Sequence, residues 1–387
     1  MPLRIKQTEV FLVNIPLRFS IQHALHRRTS NMTGFVILSD DNGNAGIGEF
    51  LCRDYVTGEN MDDCIHCLQQ MAAVLMQKTI DNPTEFIKSI WKQYVDQKGK
   101  YGAICGLELA LFDLWGKQQG KSVTKLLSPN KLQEVQPRYS AVYPFASGLK
   151  LLAMQFFYKT LMRFEFIKVK GTGRIDDDLA YVDTIRKAFH YPVDLRLDLN
   201  GSLLPNHAEE YFSKMLGSKN GIRWFEQPFP KDDCTTSAKF QKKFASNIIL
   251  CADESVCSME DLEQTIKEGS FKAINIRIAK NGGLLKASEL YQKAIQNGLE
   301  TQLGCYVGES SVLAYAGLHF AALAPQLRYY EGCFGNYLIK WDVIQPSLTF
   351  ARKGQVSLKK LPQTGLVPFY NMDRLKKKAF RTYRLGQ

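Results

Sequence analysis

No stretch of this sequence is apolar for long enough to span a bilayer, and Met1-Pro-Leu-Arg-Ile-Lys-Gln-Thr-Glu-Val-Phe-Leu12 breaks its apolar residues with charge too often for a signal peptide. No membrane partner is expected, and the chain reads as cytoplasmic. Its nine cysteines are odd in number and scattered, so they form no disulfide framework and fit a reducing compartment. The one close pair, Cys64-Ile-His-Cys67, falls inside an expected helix over 61–77 and has no second pair to complete a tetrahedral zinc site. Two buried thiols one turn apart are the better reading. No zinc-finger, helix-turn-helix or RNA-binding motif accompanies the net charge of +12, so no nucleic acid is expected. Much of that excess sits in Arg374, Lys376, Lys377, Lys378, Arg381 and Arg384, which read as a solvated tail that also attracts anions.

What the sequence does hold is a ladder of charged residues in its second half. The rungs are Lys168 and Lys170 in Phe166-Ile-Lys-Val-Lys-Gly171, Asp198 and Asn200 in Leu195-Arg-Leu-Asp-Leu-Asn200, Glu226 in Trp224-Phe-Glu-Gln-Pro228, Asp253 in Leu250-Cys-Ala-Asp-Glu-Ser255, and Lys280 in Ile274-Asn-Ile-Arg-Ile-Ala-Lys280. Each closes a short apolar run of strand character and precedes a stretch of helical periodicity. From Lys170 through Asp198, Glu226 and Asp253 to Lys280 the intervals are 28, 28, 27 and 27 residues. That is the length of one strand-plus-helix unit in a closed eight-fold barrel of about 250 residues, whose active sites lie where the carboxyl ends of the strands converge. Three carboxylates and two or three lysines are expected to meet at that mouth.

The rest of the 387 residues divides around this barrel. Residues 1–128 read as an α+β unit: a strand at 3–14, a mobile basic loop at 20–30, a hairpin joining 34–39 to 45–49, then helices near 61–77, 84–96 and 102–119. Residues 129–345 hold eight strands near 138–144, 165–170, 193–200, 222–226, 247–253, 273–280, 300–305 and 326–331. Residues 346–387 are too short for a ninth unit and are expected to return to the first sheet.

Five motifs in this order resemble the enolase superfamily, and within it the muconate-lactonizing-enzyme subgroup: Lys168-Val-Lys170, Asp198-Leu-Asn200, Glu226-Gln-Pro228, Asp253-Glu-Ser255 and Lys280-Asn-Gly-Gly283, with Ala110-Leu-Phe-Asp-Leu-Trp-Gly116 ahead of the barrel. The resemblance covers nearly the whole chain. It implies an α/β fold, a modified (β/α)7β TIM-type barrel under an N-terminal α+β capping domain, and a homo-oligomer is compatible with it. It implies Mg2+, with Mn2+ next, held by Asp198, Glu226 and Asp253. It also implies proton transfer beside a small substrate's carboxylate, with Lys170 and Lys280 on opposite faces. The mandelate-racemase subgroup is set aside, because Lys280 stands where its Asp would be and Gly304-Cys305 near its His. Within the subgroup, two facing lysines favour epimerisation or racemisation of a dipeptide or N-acyl amino acid; muconate cycloisomerisation and an o-succinylbenzoate synthase-type elimination stay open. Dipeptide epimerases carry Asp-x-Asp after the eighth strand, where this chain has Glu331-Gly-Cys333.

The chemistry agrees with those residue types. A carbon acid beside a carboxylate resists deprotonation because its product carries a second negative charge, which a divalent cation stabilises as an enediolate. Three carboxylates form a hard, oxygen-only donor set suited to that cation. A lysine base needs its pKa lowered from about 10.4. Lys168 and Lys170 leave one strand on the same face, so Lys168 is expected to depress Lys170, the assigned base, by repulsion. Asn200, Glu309 and Glu331 are candidate pocket residues, and His23, His26, Arg27 and Arg28 form a candidate carboxylate clamp in the capping loop. The competing class is a basic binding protein on a retired scaffold, against which the intact set of five rungs speaks.

Overall fold

The computed structural model describes residues 2–22, 27–128, 135–217 and 221–386. The first sheet is antiparallel in the order β13-β1-β2-β3, built from β1 (Leu3–Gln22), β2 (Arg27–Asp40), β3 (Ala45–Phe50) and β13 (Ala379–Leu385), with β4 (Thr79–Ile80) pairing the start of β1. The hairpin turns at 41–44, where the Asp40 carboxylate accepts the Asn42 and Asn44 N–H groups. The segment expected as a loop at 20–30 differs: Ile21 pairs with Arg28 and Gln22 with Arg27, so β1 and β2 run on past Pro16. Ile15, Leu17, Phe19 and Ile21 alternate along that extension, and the period of two outweighs the basic residues beyond it.

Three helices, Met61–Met76, Pro83–Gln93 and Lys100–Gln119, follow. The third is buried almost all round and lies on β3, where a methyl group on Gly48 would collide with the Gly106 carbonyl. The basic C-terminus is no solvated tail. Met372–Lys378 is helical and β13 pairs with Thr8–Val13 of β1, its arginines standing along the open edge of the sheet, where charge blocks further pairing.

The second sheet has eight parallel strands in sequence order: β5 (Ala141–Tyr143), β6 (Phe166–Lys170), β7 (Asp194–Asp198), β8 (Trp224–Glu226), β9 (Ile249–Ala252), β10 (Ala273–Ile276), β11 (Glu300–Leu303) and β12 (Leu327–Tyr330). Tyr139 bridges Tyr330, and Ser140 N–H donates to the Tyr330 carbonyl at 2.8 Å, which joins the last strand to the first. Ordinary strand-helix alternation forces parallel strands and a right-handed crossover each time, and eight such units curl into a barrel.

Two carboxylates fasten the N-terminal layer onto the barrel. Glu49, on β3, accepts Ser310 N–H, Ser310 Oγ–H and Leu313 N–H at 2.9, 2.6 and 3.0 Å, capping the helix Ser311–Leu323. Glu108 accepts the Leu284 and Leu285 N–H groups at 2.5 and 3.1 Å at the start of helix Leu284–Gln296. Unsatisfied N–H groups at a helix start favour an anion. Burial nevertheless pushes Glu49 up to about 7 and Glu108 to about 8. Among the described residues no helix is long and apolar enough to cross a membrane.

Candidate active site

Asp198, Glu226 and Asp253 stand at or just beyond the carboxyl ends of three neighbouring strands, β7, β8 and β9, and all three are fully buried. Lys170, at the end of β6, donates to Asp198 Oδ2 at 2.5 Å and to Asn200 Oδ1 at 2.8 Å. On the other side of the trio, Lys280 donates to Asp253 Oδ1 at 3.1 Å and to the Asp253 and Asn275 carbonyls at 2.7 Å each. The two lysines therefore flank the three carboxylates from opposite ends. Lys280 is not on a strand: β10 ends at Ile276, and the lysine comes from the turn after it, held by Asn281 Oδ1 accepting Arg277 N–H and by Gly282 and Gly283 at positive φ. Burial is the main cause that pushes the Lys280 ammonium down to about 8, and the charge of Arg277 adds to it.

Lys168 sits among carboxylates. Its Nζ lies 3.1 Å from Asp198, 3.2 Å from Glu226 and 2.7 Å from Glu331. Burial works against its charge, but those carboxylates prevail and hold the ammonium above its ordinary value. Glu331, expected to meet substrate, gives one oxygen to Lys168 and the other to Arg196 Nη2 at 2.6 Å, while Arg196 stacks 4.3 Å above the Tyr329 ring. Asn200 donates back to Glu254 Oε1 at 3.3 Å. Glu309 accepts Tyr306 N–H at 2.6 Å, and burial raises its carboxyl to about 8.

These groups face a cavity of about 1200 Å³, counted to its open mouth, between the barrel and the N-terminal sheet. Lys168, Lys170, Asn200, Glu309 and Glu331 line it, as do Arg28 from β2 and the apolar Phe19, Ile21, Met154 and Phe334. Lys280 does not. His23 and His26 lie outside the described residues, as does the side chain of Arg27.

Three arginines escaped the sequence reading. Arg277 Nη2 bonds Asp253 Oδ2 and lies 3.7 Å from Glu226 Oε1. Arg196 closes the layer beneath, and Arg53 enters from the turn after β3. Alternation in Asn275-Ile-Arg277 puts Asn275 and Arg277 on one face, which was a usable signal for the first; nothing local marks the other two.

The donor set fits a small, hard cation. It comprises three buried carboxylates from successive strand ends and one further oxygen, Glu254 Oε2, that is buried with no hydrogen-bond partner among the described residues. As they stand, no three such side chains among the described residues converge closely enough to share an ion, and Arg277, Lys170 and Lys280 bond oxygens of Asp198 and Asp253.

The chain matches two family models, the Mandelate racemase / muconate lactonizing enzyme N-terminal domain over residues 5–128 and the Enolase C-terminal domain-like model over residues 155–367. It is 25% identical to the N-succinyl-L-Arg/Lys racemase of Bacillus cereus, over 82% of this chain and 84% of that protein. It is 28% identical to a hydrophobic dipeptide epimerase of Citrifermentans bemidjiense, over 92% of this chain and 91% of that protein. The crystal structure of a dipeptide epimerase from Cytophaga hutchinsonii, complexed with Mg and the dipeptide D-Ala-L-Val, superposes with a TM-score of 0.86 at 22% identity, covering 99% of this chain and all of that one.

Proposed function

The chain belongs to the mandelate racemase / muconate lactonizing enzyme family of the enolase superfamily, and on that premise we propose that it is an isomerase that inverts the carbon beside a substrate carboxylate by two-base proton transfer. One observation carries the reading: Lys170 and Lys280 hydrogen-bond to the first and last members of a buried trio of carboxylates. Asp198, Glu226 and Asp253 would hold Mg2+, or Mn2+, which when bound stabilises negative charge on the substrate carboxylate. Lys170, already facing the cavity, takes or returns the proton on one face. Lys280, drawn toward neutrality by burial, does so on the other once its Nζ leaves the Asp253 and Asn275 carbonyls. Substrates of the related proteins suggest an N-acyl amino acid or a dipeptide.

The test is α-proton exchange in deuterated water with each pure enantiomer of an N-acyl amino acid and dipeptide panel. Lys280→Ala should abolish inversion in both directions yet leave exchange, with retained configuration, for the enantiomer that faces Lys170; Lys170→Ala should give the mirror result. Inversion by Lys280→Ala at near the original rate would sink the two-base reading. The position of Lys280 behind the cavity wall favours a second reading, a one-base cycloisomerisation or elimination, which is what remains if Lys170 alone proves necessary for proton removal.

A further inference from the structure

Cys64, spaced as a pair with Cys67 in the sequence, meets a different cysteine in the fold. Its Sγ lies 3.1 Å from Sγ of Cys52, twelve residues earlier, and both are free thiols. That separation is about 1 Å beyond the length of a disulfide bond. Cys52 stands just past the end of β3, and Cys64 is in the first turn of the helix Met61–Met76, whose start is fixed by a capping box between Asn60 and Asp63. Both sulfurs lie over the bare face of Gly102 on the helix Lys100–Gln119. A methyl group there would come within 2.7 Å of Cys64 Sγ and 3.5 Å of Cys52 Sγ, so the missing side chain leaves the two sulfurs their room. Among the described residues no third cysteine, histidine or carboxylate converges with them into a metal site. Two thiols in contact without a metal are arranged for one reaction, the loss of two electrons to form a bond between them.

The two sulfurs are not equivalent. Cys64 is fully buried, and its hydrogen bond with Cys52, followed by burial, holds its thiol well above its ordinary pKa. Cys52 is half-buried, so an oxidant reaches it first. The chain between them carries part of the cavity wall: Arg53 and Tyr55 line the cavity, Arg53 Nη1 donates to the Cys52 carbonyl at 2.8 Å, and Asp54–Thr57 is a single helical turn. We propose that Cys52 and Cys64 are a reversible modification site, closed by hydrogen peroxide into an intramolecular disulfide that stiffens the cavity wall over residues 53–57. Cys52 sulfur attacks a peroxide oxygen, the O–O bond breaks, and the Cys52 proton leaves in the first water. Cys64 sulfur then attacks the sulfenic sulfur, the S–O bond breaks, and the Cys64 proton leaves with the hydroxyl as the second water. The two thiols lose two electrons, the peroxide gains them, and a dithiol reductant returns them by exchange. Where thiols are otherwise kept reduced, such bonds are transient and serve sensing.

Titration of the full chain with hydrogen peroxide, then alkylation, digestion without reductant and mass spectrometry, reads the bond itself. The expected product is a single species about 2 Da lighter, with the Cys52 and Cys64 peptides joined, and dithiothreitol should restore both thiols. In Cys64→Ser the same dose should leave Cys52 as a sulfenic acid that dimedone traps, because nothing resolves it. In Cys52→Ser, Cys64 should stay a free thiol. Amide hydrogen exchange over residues 53–57 should slow several-fold in the oxidised unaltered protein and return to its starting rate on reduction. Cys64 that stays open to alkylation while Cys52 proceeds to sulfinic acid overturns the proposal, as does Cys52 bonded to any other cysteine or to a second molecule. Unchanged exchange over residues 53–57 in a protein that does form the bond overturns its link to the cavity wall. If Cys64→Ser does not fold, the peptide map of the unaltered protein decides the matter alone.

Discussion

Replacing Glu226 by Gln should destabilise the protein itself, before any cation is considered. Glu226 Oε1 accepts Asn275 Nδ2–H at 2.9 Å and Lys168 at 3.2 Å; Oε2 accepts Gln302 Nε2–H at 2.7 Å and Lys168 at 3.3 Å. Every neighbour is a donor, so an amide NH2 placed there meets N–H groups and leaves the buried Lys168 charge short of a partner. Removing one member of a buried ionic network costs about 3–5 kcal/mol. With an unfolding entropy of about 2.1 cal/mol/K per residue over 387 residues, that lowers Tm by roughly 4–6 °C. Scanning calorimetry in the presence of chelator measures it. Glu300→Gln is the control, because Glu300 pairs with Arg328 at 3.1 Å on the surface, where such a pair is worth at most about 1 kcal/mol. If Glu226→Gln melts within about 1 °C of the unaltered protein, or no lower than the control, the carboxylate is not the hub drawn here. The practical consequence is that lost activity in this variant says nothing about metal ligation unless folding is measured beside it.

Arg277→Met should leave Glu226 and Asp253 facing one another with less compensation, so the chelator-treated protein should melt lower and gain more in Tm on adding Mg2+ than the unaltered one; an equal gain would show that Arg277 does not compete for those oxygens. His319 is fully buried between the Thr124 hydroxyl and the Leu366 carbonyl, and burial pushes it down to about 4 from an unfolded value near 6.5. A depressed histidine keeps its full contribution above pH 6.5 and loses it as pH falls through the folded value, by about 3 kcal/mol in all. Denaturant titrations between pH 7 and pH 3 should therefore show less acid loss in His319→Gln than in the unaltered protein, and identical slopes would refute the argument.

The barrel was legible because its information is local and periodic. Each unit is one strand and one helix of near-constant length, so Asp198, Glu226 and Asp253 announce themselves by interval alone. Lys280 was legible as a rung but not as a buried one, since nothing in Ile276-Arg-Ile-Ala-Lys280 says that the strand stops at Ile276 and the chain turns inward. Contacts between distant segments were not legible at all. Glu49 meets Ser310 across 261 residues and Glu108 meets Leu284 across 176, and no short-range pattern encodes either. The extension of β1 past Pro16 and the strand near the C-terminus were hidden for another reason: their charges read as solvated coil, although their apolar residues alternate and the arginines are where an edge strand needs them.

Depth, more than residue type, sets the surroundings of the three lysines apart. Lys168 and Lys170 leave one strand on the same face, but two residues along a strand is about 6.6 Å, one layer of side chains in a barrel. That step takes Lys168 into the layer where Asp198, Glu226 and Glu331 converge, with 2% of its surface exposed, and leaves Lys170 at the rim with Asp198 and Asn200. The deeper ammonium is matched by the carboxylates around it. Lys280 reaches the same depth from the far side but finds two main-chain carbonyls and one carboxylate oxygen there, too little compensation to offset its burial. Equal burial thus raises one lysine and lowers the other, and the difference lies in how many carboxylates each one meets.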